Sequence, residues 1–140
     1  MDGFEARALL DRHGLRATRG RLRILDVLRA GSAPLSAGEV HESVGTGILD
    51  LATIYRTLER FAATDLVRPV QLGDGIRRYE IADGDHHHHL VCTSCGAVEN
   101  LASCQVAAIE ELALREHGFH VASHALEFFG TCRGCALKSP

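Results

Sequence analysis

The chain has 140 residues, 46% of them apolar and 24% charged, which is about one domain's worth of an ordinary globular protein. No apolar run approaches the roughly 18 residues of a membrane helix, which excludes a spanning protein; the opening MDGFEARALLDRHG has no secretory pattern, so a cytoplasmic protein is expected. The formal net charge of −3, taken alone, argues against a nucleic-acid binder.

Residues 4–13 have helical spacing, with Leu9 and Leu10 as the apolar patch and Gly14 as the stop. Residues 18–30 form a second predicted helix, in which Leu22, Leu25, Val27 and Leu28 recur near helical spacing and Gly31 follows as a C-terminal stop. Ser36-Ala37-Gly38-Glu39 is a capping-box pattern that opens a short helix to about Val44. A fourth helix spans residues 51–63: Leu51, Ile54, Leu58 and Phe61 share one face, while Thr53, Arg56, Thr57 and Arg60 face away. Two β-rich runs, 66–72 and 76–81, flank Gly73-Asp74-Gly75 and predict a hairpin.

Short helices followed by a hairpin give the order of a winged helix-turn-helix, whose last helix before the hairpin enters the major groove. That helix offers Thr53, Tyr55, Arg56, Thr57 and Arg60, side chains able to contact phosphate, guanine or a thymine methyl. Arg16, Arg19, Arg21, Arg23 and Arg29 stand against the single acid Asp26 in residues 16–29, so this half has a basic end. The competing explanation is an ordinary solvated arginine-rich helix face.

Composition changes at Asp83-Gly84-Asp85, a turn-favouring joint. Residues 1–83 hold twelve acids and twelve arginines, whereas 84–140 hold six acids and three bases and account for the whole net charge. All five cysteines and seven of the nine histidines lie beyond the joint, which predicts two modules of different chemistry.

Cys92-x-x-Cys95 and Cys132-x-x-Cys135 are two knuckles of equal spacing, which together make the closed four-cysteine site that zinc favours. Two disulfides or a redox pair are the alternative, and they fit a chain without a secretion signal less well. His86, His87, His88 and His89 lead into an apolar run. If extended, they alternate between faces, so His86 and His88 point one way and His87 and His89 the other. Glu80 is the candidate partner of His87 and His89, and His124 of His86 and His88; a solvated polyhistidine loop is the alternative. Between the knuckles, residues 104–116 read as an amphipathic helix and 119–129 as one or two strands. Such a unit is too small to bury much core by itself and calls for both the zinc and a partner chain.

The carrying motifs are Ala52-Thr53-Ile54-Tyr55-Arg56-Thr57-Leu58, the histidine run with Cys92-x-x-Cys95-Gly96, and Phe129-Gly130-Thr131-Cys132-x-x-Cys135. In this order they resemble the ferric uptake regulator family of metal-dependent transcriptional repressors. The resemblance implies an α+β chain: a winged helix-turn-helix DNA-binding domain at 1–82, a hinge at 83–85 and an α/β metal-binding dimerisation domain at 86–140 with a four-cysteine zinc site. It implies a non-enzymatic homodimer that binds double-stranded operator DNA and controls metal uptake genes. Cys92, Cys95, Cys132 and Cys135 match the structural zinc ligands, and Tyr55 and Arg56 match DNA-touching positions. Glu80, His87 and His89 match three ligands of the family's hinge site; the fourth position, a histidine in the family, is Pro34, and His41 is a candidate in its place. His86, His88 and His124 match a second regulatory site whose glutamate aligns with Ala107, leaving Cys104, Glu110 and Glu111 as candidates one turn away.

The four-histidine run and the Gly-Thr-Cys ending resemble the family's zinc uptake regulators, so Zn(II) is the favoured regulatory metal, Fe(II) the next, and Mn(II) open. A peroxide-responsive member is a further reading within the family. Outside it stand a zinc-dependent hydrolase, a thiol oxidoreductase and a metal-storage protein. No HExxH helix, nucleophile elbow or phosphate loop supports an enzyme, and storage leaves the winged helix unexplained.

Overall fold

The computed structural model describes residues 3–45, 47–82 and 86–138. The chain divides into two compact units, Met1–Gly84 and Asp85–Pro140. The expected hinge at 83–85 lies outside the described residues.

In the first unit, α1 (Gly3–Arg12) buries Leu9 and Leu10, and Gly14 follows it at φ +70°, a turn that suits glycine. Thr18 is the N-cap of α2 (Arg19–Ala30) rather than its first residue, its hydroxyl accepting the Arg21 N–H at 3.3 Å. Gly31 ends α2 in extended backbone, not as a left-handed cap, and a Cβ there would come within 3.2 Å of Leu35. The glycine therefore serves close packing. A two-residue strand, β1 (Leu35–Ser36), precedes α3 (Ala37–Val44) and was not foreseen from sequence. The predicted capping box is present: Glu39 N–H donates to Ser36 Oγ at 3.2 Å and Ser36 N–H to Glu39 Oε2 at 2.8 Å.

Asp50 caps α4 (Leu51–Ala63) by accepting the Thr53 N–H at 2.7 Å. Ile54, Leu58 and Phe61 are fully buried and fix the inner face of α4, each worth about 1.5–3 kcal/mol relative to exposure. Leu51, expected on that face, is 49% exposed because it occupies the first helical position, short of the core. Asp65, at φ +60°, turns the chain from α4 into the antiparallel hairpin β2 (Val67–Gln71) and β3 (Arg77–Ile81). β1 adds to the free side of β3, pairing Leu35 with Tyr79. The result is a helical cluster with a three-stranded wing.

The second unit is a three-stranded sheet with β4 (His88–Cys92) at its centre, antiparallel to β5 (Val98–Leu101) and parallel to β6 (Glu127–Gly130). Helix α5 spans Ala107–His117, three residues shorter at its start than expected, so Cys104 lies ahead of it; Gly118 (φ +62°) ends it. Of the 119–129 stretch only 127–129 is strand; with Gly130 it forms β6, the length that pairs with β4. A short α6 (Arg133–Lys138) closes the chain's described part. Among the described residues of this unit the buried side chains are His88, His89 and Cys92, while Ile109, Leu114, Phe119, Phe128 and Phe129 are exposed. Its interior is made of metal-ligand types rather than apolar ones.

Candidate metal centres and candidate DNA interface

Cys92 ends β4, and a turn with Gly96 at φ +78° returns Cys95 toward it, while Cys132 and Cys135 stand at the start of α6. The four sulfurs lie within 4.8 Å of one another, and Cys95 Sγ is 3.8 Å from Cys132 Sγ. Tetrahedral zinc with Zn–S bonds of about 2.3 Å sets its sulfurs about 3.8 Å apart, so the donor set fits that ion. Backbone N–H groups of Cys132 (3.3 Å) and Cys95 (3.5 Å) donate to Cys92 Sγ. They lower the Cys92 thiol to about 6, the Cys132 N–H foremost, and so favour its thiolate. Cys135 is pushed up to about 12, first by hydrogen bonding with Cys132 and then with Cys95 and Cys92. Four sulfurs this close cannot all ionise without a cation among them.

A second cluster gathers His86, His88, His124 and Cys104, again with ligand atoms within 4.8 Å. His86 Nε2 is 2.8 Å from His124 Nε2 and 3.2 Å from His88 Nε2, and Cys104 Sγ is 3.2 Å from His124 Nε2. His88 is buried, and desolvation first, then the neighbouring His86 and His124, lower its pKa and favour its neutral form. Converging imidazole nitrogens beside a thiol are a ligand set for a soft or borderline divalent ion. Glu110 meets His124 from the other side of the ring, Oε1 to Nδ1 at 2.7 Å. Glu111 is exposed, and no ligand cluster among the described residues includes it.

His87 and His89 share the opposite face, their ring centroids 5.1 Å apart. The register places Glu127 beside His89, with Oε1 3.8 Å from Nδ1. Sequence reading missed Glu127, because only the parallel pairing of β6 with β4 brings it there. In the first unit Glu80 occupies the end of β3 and accepts Arg68 Nε at 2.7 Å. Pro34 is buried. Asp50, at the start of α4, is held low chiefly by its hydrogen bonds to Thr53. No ligand cluster among the described residues includes His41.

On α4, Tyr55 and Arg56 are exposed, and Arg56 Nη2 donates to Thr53 Oγ1 at 3.4 Å. Arg16 and Thr53 line one cleft, between the segment leading into α2 and the outer face of α4, and Arg19 is exposed beside it. Arg16 and Thr53 thus share one cleft, and Arg56 reaches it through Thr53, while Arg19 and Tyr55 are exposed on α2 and α4. Tyr79 of β3 donates its hydroxyl to Glu59 of α4, and Arg77 Nε reaches the same carboxylate at 2.8 Å, tying wing to helix.

Residues 12–129 match the ferric uptake regulator family. The chain belongs to that family. The ferric uptake regulation protein of Neisseria meningitidis is 34% identical to this ferric uptake regulator family member over 99% of this chain and 98% of its own length. The peroxide operon regulator of Bacillus subtilis is 30% identical over 96% and 93%. Among solved structures, the ferric uptake regulator of Vibrio cholerae superposes with a TM-score of 0.75 at 29% identity, covering 90% of this chain and 98% of that one.

Membership in the ferric uptake regulator family makes this chain a metal-responsive transcriptional regulator and not an enzyme, which removes the hydrolase and oxidoreductase readings. The α+β fold, with its winged helix ahead of the cysteine-bearing sheet, is that of its Fur-family neighbours. Position 107, where the resemblance led to the expectation of a carboxylate ligand, is alanine. Cys104, in the loop before α5, is the group that meets the three histidines instead.

Proposed function

We propose that this regulator represses transcription as a homodimer that binds operator DNA when its regulatory sites hold a divalent metal. Zn(II) is the favoured metal, with Fe(II) next and Mn(II) third. The observation that carries the preference is the approach of Cys104 to His86, His88 and His124. A thiolate among imidazoles is a softer donor set than imidazoles with carboxylate, and among these three ions it favours zinc. Cys92, Cys95, Cys132 and Cys135 hold a structural zinc in this reading, and Glu80, His87 and His89 form the hinge set.

Bound metal supplies a positive charge that joins ligands from different elements, and the rest belongs to the chain. The histidines and Cys104 bind through atoms already converged. Ligands drawn from both sides of residues 83–85 make one arrangement of the two domains more favourable than others, which shifts a population toward the DNA-binding form. Tyr55, Arg56, Thr53, Arg16 and Arg19 then meet the operator. The exposed Ile109, Leu114, Phe119, Phe128 and Phe129 supply apolar surface for a second copy.

The second reading, an iron- or peroxide-responsive regulator, is favoured by the ferric uptake and peroxide operon relatives. Operator binding titrated with buffered free Zn(II), Fe(II) and Mn(II) separates the two. Half-maximal DNA binding at the lowest free concentration for Zn(II) is expected. Response to Fe(II) alone, or loss of binding on adding peroxide to the Fe(II) form, overturns the zinc reading.

A further inference from the structure

We infer that Glu110 is a positioning residue of the second regulatory site: it stays outside the ligand set and fixes His124 in the tautomer that binds metal. The inference rests on the reading of His86, His88, Cys104 and His124 as a metal site. Glu110 Oε1 lies 2.7 Å from His124 Nδ1. The atoms that converge on His124 from the cluster, His86 Nε2 at 2.8 Å and Cys104 Sγ at 3.2 Å, approach its other nitrogen, Nε2. A carboxylate oxygen accepts a hydrogen bond from Nδ1–H, so in the neutral ring the proton sits on Nδ1 and Nε2 is the bare nitrogen. Nε2 is the atom the cluster needs.

Without that acceptor, a neutral imidazole divides its proton between two nitrogens and rotates more freely about its side-chain bonds. Both effects remove molecules from the binding-ready form. A carboxylate behind a ligating histidine is a recurrent outer partner of metal sites, and its loss typically lowers affinity about 10–100-fold while the ligands themselves remain. Glu110 sits in the first turn of α5, while Cys104 lies in the segment just before that helix. The start of one helix therefore brings both the thiol and the orienting carboxylate to His124. Glu110 belongs to no mutually close ligand group among the described residues, which separates its role from that of Cys104.

The test uses the full-length protein with zinc in its four-cysteine site and Co(II) titrated as the probe. Cobalt bound by Cys104 gives a near-ultraviolet thiolate-to-metal absorption that a site of histidines and carboxylate lacks. Cys104→Ala should abolish that band; a band that survives overturns the cluster as a thiolate metal site, and with it this inference. Glu110→Ala should retain the band at saturation and need about 10–100-fold more free Co(II) to reach it. Glu110→Gln keeps an acceptor without the charge and should fall between. Unchanged Co(II) affinity in Glu110→Ala overturns the positioning role. So does loss of the band at saturation in Glu110→Gln, because Cys104 would then fail to bind metal at all, more than the orientation of His124 accounts for.

Discussion

The Tyr79 hydroxyl, buried on β3, donates to the Glu59 carboxylate on α4 and joins the wing to that helix. Burial first, then the bond to Glu59, pushes the Tyr79 hydroxyl up to about 12, while Glu59 is held below its usual range chiefly by Tyr79. Tyr79→Phe keeps the ring and deletes the donor, so the first unit should lose about 1 kcal/mol. The chain has no tryptophan, and both tyrosines lie in that unit, so urea unfolding followed by Tyr55 fluorescence reads the change. An unaltered midpoint would show that the bond contributes nothing.

Asp74, at the tip of the wing, accepts both Arg78 guanidinium contacts, at 2.8 and 2.7 Å, and Arg78 foremost lowers its carboxyl from 3.8 to about 2. A carboxyl depressed by folding stabilises the native state above its unfolded pKa, and that contribution disappears as pH falls through the folded value. On acidification from about 3.8 to about 2 the wild type should therefore lose stability that Asp74→Asn does not have to lose. Parallel acid-unfolding curves for the two proteins would contradict this assignment.

Arg56→Ala should weaken operator binding by about 1–3 kcal/mol if its guanidinium reads a base; a phosphate contact lowers the salt slope by about 1 instead. Fluorescence anisotropy at several salt concentrations measures both quantities. If neither changes, Arg56 lies outside the interface.

The double variant His87→Ala/His89→Ala should abolish metal-dependent operator binding and leave the tyrosine-monitored unfolding of the first unit unchanged. Retained metal dependence would remove the two histidines from the regulatory set.

Cys92→Ser deletes the sulfur that accepts two backbone N–H groups. It should lower zinc content by one ion per chain and weaken self-association, both measurable by elemental analysis and sedimentation. Structural zinc in small peptides is worth on the order of 10–16 kcal/mol, so an intact zinc-loaded dimer would refute the four-cysteine site.

Local signals carried the first unit's helices. Ser36 and Glu39 specify the start of α3 within four residues, and Gly14 marks the chain reversal after α1. The hairpin follows from Gly73-Asp74-Gly75 between β-rich runs. β1 escaped because two residues hold no periodicity; only pairing with β3 makes Leu35–Ser36 a strand. α5 starts later than its periodicity suggests, because Val106 caps it without a side-chain hydrogen bond and leaves no polar marker at its start. In the site, alternation along an extended run separates His86 and His88 from His87 and His89. The approach of Cys104 and Glu110 to His124, and of Glu127 to His89, depends on loop path and strand register. Spacing along the chain does not encode either.

The buried side chains described in the second unit are His88, His89 and Cys92. Imidazole and thiol yield little hydrophobic free energy, so this half has a small reserve of cohesion of its own. Its opening equilibrium, and hence its exposure to proteases, is set by what its ligands hold. If metal holds this half together, its removal should speed digestion of residues 86–138 more than of the first unit, which limited proteolysis with and without a chelator measures.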